Sequence, residues 1–143
     1  MKLLLCFIIS MAISLTIHEI GHAFFSIVTR AKITGINIGV GPRIWRNDYF
    51  SIKLFPVAGN VECELNVSNK IGIIKMFLIA IGGCVFNGIM FIIGIEYMEG
   101  LYSLIFAFIN IVMCISSLIP IKGSDMYTVL VGCGLIDYED DDE

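Results

Sequence analysis

Charge is scarce in this chain. Only 15% of its 143 residues are charged, while 57% are hydrophobic and gathered in long blocks, a composition that excludes an ordinary soluble globule of one domain's length. Paired cysteines are lacking too. Cys6, Cys63, Cys84, Cys114 and Cys133 are odd in number, scattered and without a C-x-x-C pair, so neither a disulfide framework nor a zinc knuckle is expected, and the thiols read as reduced filler. A net charge of −4 without a basic groove argues against nucleic acid as a direct ligand. No convincing small-residue cleavage site follows Met1-Lys2-Leu3-Leu4-Leu5, so the opening run reads as a retained helix and not as a signal peptide.

What the chain does have is three apolar blocks of nearly the length that an α-helix needs to cross a bilayer, roughly 20 residues: Leu3–Thr29, Met76–Ile95 and Leu101–Ile121. The first, at about 1.5 Å per residue, is ~40 Å long and exceeds a ~30 Å hydrocarbon core, so its end tilts or protrudes. Between the first two blocks, residues 30–70 carry short strand-like stretches, Thr34–Val40, Phe50–Phe55 and Gly59–Glu64, broken by Gly41-Pro42 and Asn47-Asp48. After the third block, Met126–Ile136 is too short to span and reads as a short helix at the cytosolic face. The fold class expected is therefore an α-helical integral membrane protein: three transmembrane helices, a small β-hairpin or sheet between the first and second, and a short C-terminal helix. Residues 1–136 read as one core, and Asp137–Glu143 as a solvated acidic tail.

The first block contains the chemistry. His18, Glu19 and His22 form an H-E-x-x-H motif. Residues four apart share a helical face, so both imidazoles can serve one zinc ion while Glu19 manages the proton of the attacking water. Three polar side chains in an apolar span are costly, about 2.5–3.5 kcal/mol for a carboxylate near the bilayer centre. Metal binding gives a reason for them that chance surface charge does not.

Charge placement sets the orientation. Of nine Lys and Arg, seven lie between the first two blocks (Arg30, Lys32, Arg43, Arg46, Lys53, Lys70 and Lys75), and the link 96–100 has none. The positive-inside rule then puts 30–75 in the cytosol and the 96–100 link outside. His18 falls about 22 Å along the first helix, toward the cytosolic side. A third ligand must reach similar depth. Glu96 and Glu99 are on the wrong face, and Asp48, Glu62 and Glu64 read as solvated loop charge. Asp125 arrives at the right level just after the third span, where Pro120 and Gly123 break the helix and can turn its carboxylate inward. Of the other intramembrane polar groups, Asn110 reads as helix packing, Gly82, Gly83 and Gly88 as close helix contacts, and Trp45 with Tyr49 as interfacial anchors.

These pieces resemble the site-2 protease family of intramembrane zinc metalloproteases, whose pattern is approximately H-E-x-G-H followed by N-x-x-P-x-x-x-x-D-G. His18-Glu19-Ile20-Gly21-His22 is similar to the first element and the stretch from Ser117 to Asp125 to the second. Gly39-Val40-Gly41-Pro42 and Pro56-Val57-Ala58-Gly59-Asn60-Val61 resemble the family's hairpin segments, and Gly83-Cys84-Val85-Phe86-Asn87 its G-x-x-x-N element. The likeness covers about residues 10–130. Ser117 stands where the family usually has Asn, and Met126 where it usually has Gly; neither departure removes a metal ligand, but a side chain after Asp125 bears on the turn that presents its carboxylate. The resemblance implies a minimal three-span core in which His18, His22 and Asp125 hold one zinc, Glu19 is the general base, and Asn87 lies near the substrate path. The bland reading of Asn87 is interhelical glue worth about 1 kcal/mol.

The function so implied is hydrolysis of peptide bonds in a membrane-tethered protein substrate, with the active site toward the cytosolic side of a membrane that the compact, isoleucine-rich composition suggests is bacterial. A helical substrate must unwind before attack, and its freed backbone groups then need partners, for instance a strand edge of the 30–70 segment. The alternative is a non-hydrolytic membrane protein that binds zinc structurally or handles metal ions. Glu19 separates the two, because a structural site does not need a general base beside its ligands.

Overall fold

The computed structural model describes residues 1–136; the acidic tail expected over 137–143 lies outside the described residues. Helix α1 (Lys2–Val28) leads into a two-stranded antiparallel sheet of β1 (Lys32–Arg46) and β2 (Phe50–Glu64), followed by α2 (Lys70–Tyr97), α3 (Gly100–Leu118) and the short α4 (Asp125–Gly132). The first three helices are long and apolar enough to cross a membrane. Their outer surfaces carry large exposed apolar side chains such as Leu4, Phe24, Ile92 and Phe108, a surface suited to lipid and not to water. Inside, the pattern inverts: Ser10, Ser14, Gly21 and Ser26 of α1, Gly82, Gly83, Asn87 and Gly94 of α2, and Ser103 and Asn110 of α3 are buried. Lipid tails are as apolar as leucine, so transmembrane helices associate through small residues that let backbones approach and through interhelical hydrogen bonds.

Each helix packs against the other two. The tightest crossing joins α1 to α2 at Gly21 and Gly82: a Cβ on Gly21 would lie 2.3 Å from the Gly82 carbonyl oxygen, and one on Gly82 would lie 2.5 Å from the Gly21 carbonyl oxygen. Neither obstacle is a side chain that can swing away. Gly21→Val should therefore force the helices apart, with a cost at or above the upper end of the roughly 1–3 kcal/mol typical of overpacking. The check is a lower thermal midpoint of the detergent-solubilised chain. At the opposite end of the bundle, Ser103 Oγ donates to the Gly94 carbonyl, closing the α2–α3 hairpin beside the link Met98–Glu99.

Three of the expected boundaries shift for identifiable reasons. Helix α2 starts at Lys70, six residues before the apolar block, because Asn69 caps it by accepting from the Gly72 N–H; Lys70 and Lys75 fall in its first two turns. Helix α3 stops at Leu118, since Ile119 is extended, as the residue before a proline prefers to be. The three short strands are two of 15 residues each. Gly39 and Gly41, with φ of +90° and +87°, bend β1 through bulges in its pairing with β2 instead of ending it. Asn47-Asp48 does make the turn, with Asn47 Oδ1 accepting from the Tyr49 and Phe50 amides. Trp45 and Tyr49 are exposed near that turn, free to meet an interface. Gly88 is a correction: a Cβ there would meet nothing within 4 Å, so it makes no close helix contact.

Candidate metal centre

Because α1 is continuous through residues 18–22, His18 and His22 stack on one face with ring centroids 4.7 Å apart and planes at 84°. That face turns inward. His18, Glu19 and His22 are 7%, 3% and 6% exposed. The third member arrives from the far end of the chain. After Pro120 the backbone reverses through Gly123, whose φ is +90°, and Ser124 caps α4 by accepting from the Tyr127 N–H. This makes Asp125 the first residue of α4 and aims its carboxylate at α1. Oδ2 lies 3.1 Å from His18 Nε2 and Oδ1 lies 3.3 Å from His22 Nε2. Burial pushes the Asp125 carboxyl up, but the His18 and His22 imidazoles beside it outweigh burial and hold it down at about 2, so the carboxylate is ionised at neutral pH.

Among the described residues, His18, His22 and Asp125 form a group whose ligand atoms all lie within 4.8 Å of one another. Two observations test whether a metal fits them. First, the 3.1 and 3.3 Å separations match the about 3.3 Å edge of a tetrahedron whose donors lie about 2.0–2.1 Å from zinc. Second, His22 Nδ1 is 2.8 Å from the Ile79 carbonyl oxygen, to which it can only donate. In the neutral ring Nε2 is then a bare lone pair, buried, without a hydrogen-bond partner, and facing a carboxylate oxygen. A cation between these atoms removes that conflict, and two imidazoles with one carboxylate are a donor set that suits zinc with one position left open.

Glu19 is not part of the group. Its Oε2 is buried without a hydrogen-bond partner, and its Oε1 lies under β2, where a Cβ on Gly59 would come within 2.6 Å of it. Two cavities meet at this carboxylate. One, of about 440 Å³, is lined by Glu19, His22, Cys63, Met76, Ile79 and Asp125 among others; the second, of about 370 Å³, opens on the His18 side and adds Val57, Met113 and Ser117. Glu19, Gly59 and Asp125 line both.

Asn87, which the resemblance put near the substrate path, lies beside the His18 ring. It is fully buried, lies 3.1 Å from His18 Nδ1 through its Nδ2, and lines neither cavity. Asp48, Glu62, Glu64, Glu96 and Glu99 are all exposed. Asn110 is buried and donates to the Phe106 carbonyl of its own helix, and Ser117 donates to the Cys114 carbonyl. Two glycines matter more than expected. Gly59 makes room for Glu19, and Gly83 makes room for the His18 ring, whose Cε1 would be 2.4 Å from a Cβ there. The P-V-A-G-N and G-x-x-x-N elements were the signals for them, but neither element names its neighbour. The five cysteines are free thiols, as expected.

A family model described as peptidase family M50 matches residues 6–103, a stretch that contains His18, Glu19, His22 and Asn87 and ends before Asp125. No curated protein matches the chain.

Proposed function

The chain belongs to peptidase family M50, a metalloprotease family, and from that premise we propose that it is an intramembrane zinc endopeptidase acting on membrane-tethered protein substrates. His18, His22 and Asp125 hold one zinc ion, and Glu19 is the general base. The observation that carries this reading is the inward convergence of three ligand atoms from α1 and α4, beside a buried carboxylate that none of them uses.

Zinc at this position would polarise the scissile carbonyl and acidify the attacking water. The residues around it supply the rest. Glu19 takes a proton from that water through Oε2 and passes it to the leaving amine. Lining both cavities, it can reach each side of a bond lying between them. The exposed backbone of the β1–β2 sheet offers hydrogen bonds to an unwound substrate segment, which lipid cannot. Residues 1–136 act as one core, multi-pass in a bacterial cell membrane. The site lies toward the cytosolic side, as supported by seven of nine Lys and Arg falling between α1 and the middle of α2's first turns.

The alternative, a structural or transport role for the metal, leaves a buried Glu19 without a task. Metal removal tests both. Treating the solubilised chain with a zinc chelator should abolish cleavage of a tethered reporter protein, and stoichiometric zinc should restore it. Cleavage by metal-free protein would reject the proposal, and so would a zinc-loaded chain that cleaves no tethered polypeptide offered to it.

A further inference from the structure

Two imidazoles bind the same ion in the proposed site, but their outer nitrogens are held by different chemistry. His22 Nδ1 meets the Ile79 carbonyl at 2.8 Å. A carbonyl accepts and never donates, so this bond keeps the proton on Nδ1 and leaves Nε2 free for metal whether or not metal is present. His18 Nδ1 meets a side-chain amide, that of Asn87, at 3.1 Å. An amide has one end that donates and one that accepts.

The two orientations of Asn87 call for opposite tautomers of His18. With the NH₂ turned to Nδ1, that nitrogen is an acceptor and the ring proton is on Nε2, where it is donated to Asp125 Oδ2 at 3.1 Å. This arrangement closes the site without metal. With Oδ1 turned to Nδ1, the ring proton moves there and Nε2 presents a lone pair. Oxygen and nitrogen of an amide have nearly the same shape, and their assignment follows from the hydrogen-bond network. The surroundings do not favour the first orientation: Asn87 Oδ1 is buried with no partner. On the α2 side the ring of His18 lies against Gly83, whose missing side chain leaves room for it and adds no polar group to bias the tautomer.

We propose that Asn87 is a positioning residue for the metal centre: its amide oxygen accepts from His18 Nδ1–H in the zinc-loaded protein and its amide nitrogen donates to Nδ1 in the metal-free protein. The inference rests on the zinc-ligand reading of His18. It assigns Asn87 a place behind the ligand instead of against the substrate. Asn differs here from Asp, which could only accept, and from Leu, which could do neither.

The test measures zinc affinity of the full chain in detergent by competition with a chromogenic chelator, alongside cleavage kinetics on a tethered reporter. Asn87→Leu, of similar volume, should weaken zinc binding by about 10–100-fold, the usual effect of losing a group that orients a metal-bound histidine. At saturating zinc its KM should remain that of the parent chain. Asn87→Asp should restore affinity to the parent level or above, because a carboxylate enforces the metal-ready tautomer. Parent-like zinc affinity in Asn87→Leu with a raised KM would overturn the proposal in favour of a substrate contact, and equal loss of affinity in both variants would overturn it in favour of packing. Nitrogen-15 spectra of the imidazoles in the unsubstituted zinc-loaded chain provide a check free of folding defects: His18 should carry its proton on Nδ1, and metal on Nδ1 would refute the assignment. A chain that binds no zinc at all would instead sink the reading of the site on which this one rests.

Discussion

Glu19→Gln is expected to keep zinc and lose cleavage. The fall in kcat should be about 10²–10⁴-fold, the range that a positioned general base contributes, with zinc content and KM close to those of the parent chain. The structure gives reasons for expecting so clean a separation. Glu19 touches none of the three ligand atoms through a hydrogen bond, and its Oε2 has no partner to lose. A glutamine has the same length and fits the same slot beneath Gly59, where even a Cβ would be crowded. The substitution removes a proton acceptor and a negative charge while leaving shape unchanged. Zinc measured by atomic absorption and turnover measured on a tethered reporter decide the matter. Full turnover in Glu19→Gln would reject this residue as the base, and loss of zinc would mean that the carboxylate belongs to the ligand set after all.

The parts of this arrangement that were legible in the sequence are those set by a period or a length. His18 and His22 are four apart on one helix, so their shared face follows from helical geometry alone, and the three spans follow from runs long enough for a bilayer. Asp125 lies 107 positions from His18 and has no periodic relation to it. It was reached by asking which carboxylate returns to the same depth, a constraint that exists because a membrane orders residues along one axis, and by the likeness of the Ser117 to Asp125 stretch to the family pattern. A soluble fold would have offered no such ruler.

Contacts that depend on where two elements cross were not legible. That Gly82 faces Gly21, that Gly83 leaves space for the His18 ring, and that Gly59 lies over Glu19 depend on crossing angle and rotation about each helix axis. The spacing of small residues permits these contacts without fixing them. Gly88, in the same stretch of α2, faces open space. The hairpin shows a related ambiguity. Glycines that end strands and glycines that bend them through bulges are the same residue type, and only the register break at Gly39, with the Lys53 and Phe55 carbonyls of β2 crowding it, distinguishes it as a bend. Asn87 shows the same limit: an amide buried in a span invites a functional reading, but that it lies 3.1 Å from His18 Nδ1 and lines neither cavity needs three dimensions.

Asp125→Ala should produce the opposite pattern from Glu19→Gln, with zinc and cleavage lost together. Asp125 contributes the ligand-group atoms from outside α1, and without it two imidazoles one helical turn apart are left to hold the ion. The loss of affinity should exceed the roughly 10–100-fold typical of removing a supporting group behind a ligand, and turnover should fall to background at any zinc concentration that the remaining pair does not bind. The same carboxylate also ties α4 to α1. Its value of about 2, below the ordinary 3.8, means that the folded protein favours the ionised form, so this attachment is complete above about pH 4 and weakens only as pH falls toward 2. Asp125→Ala removes it at every pH. Limited proteolysis at neutral pH should therefore cut the Ile119–Ser124 connection faster in Asp125→Ala than in Glu19→Gln, which leaves both contacts of Asp125 in place. Stoichiometric, parent-affinity zinc in Asp125→Ala would show that the carboxylate is a neighbour of the ion and not a ligand, and the third donor would then have to be sought in a rearranged chain, because the other described acidic side chains apart from Glu19 are exposed.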